Sequence, residues 1–249
     1  MRCLALLLLG CLPLAAAAAG NPRVPEILCP TTADAESAQV RLPESMAAPG
    51  QVALAGELVY YRTVHGTGVF GPKGWFCRAW IGSSGDLLLV TPRPQPPPFF
   101  PLPEVNGPAV LLQTTDGTDV GRFHLALVAD RLFPLLGQEL IERVREEHLV
   151  PESSFHAEPY PDDRVQYLSD RLVEYTTAAH RSGLGTDSLL EPSELPIRGV
   201  TVLKPETLSN ALTELRLRLP PTLQVVEEAI VDLETRCLQQ RHGCRGLDD

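Results

Sequence analysis

From Val52 onward the chain alternates short apolar runs with turn residues, and the period changes along it. Val52 to Arg62 and Gly74 to Ile81 read as strands, as does Leu87 to Thr91. The turn Ser83-Ser84-Gly85-Asp86 joins the last two into a hairpin. Ala109 to Thr114 is a fourth strand. Phe123, Leu127, Leu132, Leu136, Leu140 and Val144 then recur at helical spacing, and Pro134 splits them into helices over 121–132 and 135–147. Strands return at Val165–Leu168, Arg171–Thr177, Gly199–Leu203 and Leu212–Leu219. In the last, Leu215, Leu217 and Leu219 share one face, and Arg216 and Arg218 share the other. Leu223, Val226, Ile230, Leu233 and Cys237 mark a final amphipathic helix, acidic near its start and basic near its end, as its dipole favours. The pattern predicts an α+β fold: a mostly antiparallel sheet, a central helical pair and a C-terminal amphipathic helix.

The first 19 residues carry a different message. Arg2, an apolar run from Cys3 to Leu14 and five alanines ending at Ala19 have the form of a secretory signal. The run is too short to span a bilayer, which takes about 20 residues, and no later segment is longer, so no membrane span is expected. Leu8-Leu9-Gly10-Cys11 offers an alternative, a lipoprotein box with Cys11 as the lipid-bearing residue. Alanines rather than polar linker follow Cys11, so cleavage after Ala19 is the reading preferred, with export to the periplasm or the medium. Residues 20–50 then form a tail with a short strand at Gln39–Leu42, and residues 51–249 one domain. A proline-rich loop at 92–103 interrupts it, since seven prolines between Thr91 and Pro103 cannot supply a strand ladder.

Export turns the cysteines into bridges before ligands. Cys29, Cys77, Cys237 and Cys244 remain after cleavage, and we expect Cys29–Cys77 and Cys237–Cys244. His242 between the last two gives a three-ligand zinc set of unusual spacing, so no metal is expected. The net charge of −10 argues against nucleic acid and against anionic membrane surfaces. Two lysines against many arginines, with abundant Ala, Pro and Leu, suit a high-GC bacterial genome.

Few motifs carry chemistry. Gly66-Thr67-Gly68-Val69-Phe70-Gly71 matches the dinucleotide-binding glycine pattern, but Pro72 and a strand follow where a helix must open, so no cofactor is expected. Gly82 to Gly85 is a hairpin turn and not a nucleophile elbow. His65, His124, His148, His156 and His180 have no His or Cys neighbour at ligand spacing, and no triad stands out. The candidate binding residues are Arg171, Glu174 and Tyr175 with Gly183, Gly185 and Thr186. Here a glycine loop beside polar strand residues can present backbone amides to a ligand.

Three segments also resemble a family of uncharacterised exported bacterial proteins with a Gly-Trp-x-Cys, Gly-Ser-x-Gly and Gly-Leu-Gly-Thr pattern: Gly74 to Pro92, Gly121 to Pro134, and Ser169 to Tyr175 through Gly183-Leu184-Gly185-Thr186. The resemblance covers most of residues 52–203. It implies an exported bacterial protein and transfers no activity. The chain departs from the pattern at Arg78-Ala79-Trp80, and its Cys237–Cys244 tail is additional. The function expected is non-enzymatic binding of a small ligand or an envelope protein. The alternatives are an exported hydrolase acting on cell-wall or extracellular material, and a lipid-anchored envelope protein.

Overall fold

The structure is a computed structural model that describes residues 23–31, 45–47, 54–95, 102, 104–118 and 120–239. It contains eleven strands and three α-helices. They are β1 (Arg23–Leu28), β2 (Ser45–Ala47), β3 (Leu58–Arg62), β4 (Gly68–Pro72), β5 (Phe76–Gly82), β6 (Gly85–Thr91), β7 (Ala109–Thr115), α1 (Gly121–Leu132), α2 (Gln138–Glu146), β8 (Asp163–Ser169), β9 (Leu172–Thr177), β10 (Ile197–Leu203), β11 (Leu212–Arg218) and α3 (Gln224–Gln239). Seven strands form an antiparallel sheet in the order β5-β6-β7-β11-β10-β9-β8, and four form a smaller one in the order β2-β1-β3-β4. The fold is α+β, mostly antiparallel, with a helical pair in the middle of the chain and an amphipathic helix near its end.

The large sheet is covered on both faces. On one face Leu88, Val90, Val110, Leu112, Val200, Val202, Leu215 and Leu217 pack against the small sheet and the Val226, Ile230 and Leu233 stripe of α3. On the other, Val173, Tyr175, Leu203 and Leu212 meet Leu125, Ala129 and Leu132 of α1 and Ile141 and Val144 of α2. Beside them Trp80, Leu89 and Leu111 pack with Val105 and Leu190 from the connecting loops. Every residue of β11 is therefore buried, its charged members included. Such groups must find partners inside the protein. Arg218, 0% exposed, gives its guanidinium to the carbonyls of Val105, Asn106 and Glu191 and to Ser193 Oγ, tying two loops to the end of the central strand.

Three expectations from the pattern are revised. The stretch read as a tail holds β1, which runs parallel to β3 with Glu26 opposite Tyr60. Pro25 and Glu26 break the alternation that would have marked it. Pairing and the Cys29–Cys77 disulfide, with Cα atoms 5.4 Å apart, make it a strand, helped by the Ala79 amide donating to Pro30 O at 2.9 Å. The strand expected from Val52 begins only at Leu58, because residues 54–57 form a turn closed by Glu57 N donating to Leu54 O. The glycine-rich stretch from Gly66 to Gly71, not assigned a strand from the sequence, holds β4 from Gly68. The strand expected at Gln39–Leu42, Cys244 and His242 lie outside the described residues. Cys237 is itself disulfide-bonded and 1% exposed.

One buried acid lies between α3 and the small sheet. Glu234 of α3, 2% exposed, accepts the Phe70 amide of β4 at 2.7 Å. Burial raises its carboxyl to about 8, with the Phe70 hydrogen bond opposing. A carboxyl raised in the folded state binds protons that the unfolded chain has released. Stability should therefore fall as pH climbs from the ordinary glutamate value of about 4.3 through about 8. Urea unfolding at several pH values should show that slope flattened in Glu234→Gln, which keeps the acceptor and removes the titration. An unaltered slope would contradict the assignment.

Candidate functional site

Sheet register sets up a transverse row of side chains beneath α1. Trp80 on β5 stands opposite Leu87 on β6, Leu87 opposite Gln113 on β7, and Gln113 opposite Glu214 on β11. Helix α1 opens at Gly121, and His124, in its first turn, reaches Glu214. The ring Nε2 donates to Glu214 Oε2 at 2.8 Å, a role fixed because an ionised carboxylate can only accept. Glu214 Oε1 accepts from Arg216 Nη2 at 2.8 Å, and Arg216 Nε donates to the Leu184 carbonyl at 3.0 Å. Arg216 Nη1 and Ser188 Oγ donate to Gln113 Oε1 at 3.5 and 3.1 Å. Glu214 and Arg216 are 3% and 1% exposed, so the pair is held without water.

Charge is fixed by these contacts. Burial works against the Glu214 carboxylate, yet the adjacent Arg216 and His124 outweigh it and hold the group at about 2. Burial also works against a charged His124. The Glu214 carboxylate, through charge and hydrogen bond, outweighs that loss and the repulsion of Arg216, so the imidazole lies above the ordinary histidine value. With the ring protonated, the unit reads as imidazolium, carboxylate and guanidinium in sequence, strongest where water is absent.

Of this unit His124 lines a cleft of about 280 Å³ between the β5–β6 turn and the start of α1, and Glu214 and Arg216 lie behind it. Trp80, Leu87 and Leu102 give it apolar surface, and Gln113, Gly121 and His124 line the polar side. Gly85 shapes the rim. Its φ of +137° suits glycine, and a Cβ there would lie 2.0 Å from Thr114 O.

The candidate residues from the sequence are distributed as follows. Arg171 lies in the turn before β9 and pairs with Glu206 at 2.7 Å. Glu174 faces α3 and accepts from Thr235 Oγ1 at 3.1 Å. Tyr175 lies on the opposite face, 3% exposed, against Gly199, where a Cβ would come within 2.1 Å of its ring. Glu174 and Tyr175 both border a groove of about 350 Å³ that also holds Arg164 and Arg198; Arg171 does not. The Gly183–Thr186 turn uses its amides internally. Gly183 N donates to Thr186 Oγ1, Leu184 N to Asp163 Oδ2, Gly185 N to Thr177 Oγ1 and Thr186 N to Gly183 O. What the turn supplies outward is the Leu184 carbonyl that holds Arg216.

Trp80, Gln113, His124, Glu214 and Arg216 were not singled out from sequence. His124 and Glu214 are 90 positions apart, and no local spacing joins them. The one signal was the alternation of leucine with charge along β11, which becomes informative once both faces are known to be covered. Among the described residues no three of His, Cys, Asp and Glu gather as metal ligands would. None of their helices is long and apolar enough to cross a membrane. No family model, curated protein or solved structure matches the chain.

Proposed function

We propose that this is an exported bacterial protein that binds a small molecule, without chemical change, in the cleft between the β5–β6 turn and α1. The observation that carries this reading is the His124–Glu214–Arg216 unit behind the cleft wall. A buried ion pair is a weak source of stability, because desolvation offsets much of its attraction. Spending it on orienting one partly exposed imidazole at a cleft suits a recognition role. Binding is preferred to hydrolysis because the His124 ring is bonded to Glu214, and among the described residues no hydroxyl or thiol is bonded to it as a nucleophile would be. Export is supported by the N-terminal leader pattern together with the Cys29–Cys77 bridge, which an oxidising compartment favours.

The test follows thermal unfolding of the protein with a panel of small carboxylates, amines, sugars and nucleosides. At least one class should raise Tm in the wild type and raise it less in His124→Gln and Trp80→Phe. Stabilisation by bound ligand follows from mass action. Shifts that survive both substitutions, or no shift with any class, would overturn the cleft as the site. Intact mass of the protein from its native host should place the N-terminus at Gly20 or within a residue or two. A diacylglyceryl adduct on Cys11 would make it a lipid-anchored protein instead.

A further inference from the structure

We infer that the ligand of this cleft carries a carboxylate on a small apolar body; the inference rests on the cleft being the binding site. Three of the polar side chains that line it, Trp80, Gln113 and His124, present donors. Trp80 is 7% exposed, and its indole Nε1, a donor and never an acceptor, has no partner among the described residues. A buried donor left unpaired is costly, and an acceptor seated in the cleft that Trp80 lines would relieve that cost. Gln113 makes the same point by a different route. Arg216 and Ser188 both donate to its Oε1, which fixes the amide and leaves the NH₂ end as the side offered elsewhere. His124 uses Nε2 on Glu214, so when the ring is protonated its remaining nitrogen, Nδ1, is also a donor.

Charges of both signs surround the cleft. Gly121 at the start of α1 borders the cleft, and among the described residues the helix has no side-chain cap and no acidic residue in its first turn. The charged groups facing His124 are Glu214 and Arg216 from β11 and Asp187 from the loop after the Gly183–Thr186 turn. Asp86 also borders the cleft, but its carboxylate is taken by Thr63 Oγ1 and His65 Nδ1, at 3.1 and 3.2 Å. A ligand group that accepts several hydrogen bonds, donates none and is negative fits this set. A carboxylate has that chemistry. The apolar wall of Trp80, Leu87 and Leu102 sets the rest of the molecule, and about 280 Å³ limits its size.

Benzoate and benzamide separate the charge from the body, having the same ring and differing in the polar group. The chain has two tryptophans, so ¹⁵N-labelled protein gives two indole signals, assigned with Trp75→Phe. At pH 6, benzoate should shift the Trp80 indole N–H saturably and raise Tm, and benzamide at equal concentration should do neither. His124→Gln should weaken benzoate about tenfold, the scale of one charged hydrogen bond. Equal binding of benzamide, or of benzoate to wild type and His124→Gln, would overturn the carboxylate assignment while leaving the cleft as a site. No response of the Trp80 signal to either probe would overturn the assignment too. The cleft itself falls only if the wider panel also leaves Tm unchanged.

Discussion

Arg216→Met should lower the free energy of unfolding by about 3–5 kcal/mol, the range for breaking a buried charge pair by removing one partner. The side chain is 1% exposed and serves three acceptors: Glu214 Oε1, the Leu184 carbonyl and Gln113 Oε1. Without it Glu214 stays buried with His124 as its remaining charged neighbour, and the Gly183–Thr186 turn loses its tie to β11. Methionine preserves much of the volume, so the loss is electrostatic more than steric. The double variant Glu214→Leu/Arg216→Met should recover most of the stability, because it removes both buried charges together. Urea unfolding reads both. A single-variant loss under about 1 kcal/mol, the scale of an exposed pair, would show that the pair is solvated.

Cys77→Ser should cost about 2–5 kcal/mol, the usual range for a native bridge closing a long loop. The bridge spans 48 positions and joins the segment after β1 to β5. It ties the small sheet to the edge of the large one, where the Ala79 amide bonded to Pro30 is a further direct link. The substitution leaves the cysteine at 237 untouched, so the two bridges are not confounded as they would be by reductant. The comparison is again by urea unfolding, and a loss below about 1 kcal/mol would mean that β1 docks without help from the bridge.

These two sites also show what the sequence made legible. The β5–β6 hairpin, both central helices and α3 could be read because each is a local pattern: turn chemistry, a proline break, a stripe at helical spacing. Helix α1 ends at Leu132, where Pro134 forbids its continuation. The Cys29–Cys77 pairing was also reachable, since four cysteines allow few connectivities. Strand β1 was not legible, because its partner β3 is distant and its own residues do not alternate. The site was less legible still. The Gly183–Thr186 turn attracted notice as a source of free amides, whereas its Leu184 carbonyl serves the cleft indirectly by holding Arg216. His124, Gln113, Glu214 and Trp80 come from four separate elements and meet only through sheet register and the placement of α1.

The account depends on His124 being held charged beside the cleft by Glu214, and the direct measurement is its titration by NMR of the imidazole carbon-bound protons. The wild-type ring should titrate above the ordinary histidine value of about 6.5. In Glu214→Gln it should fall below the wild-type value, because the burial that opposes the charge remains while the carboxylate that outweighs it is gone. A wild-type value at or below about 6.5, or one that Glu214→Gln leaves in place, would contradict the account.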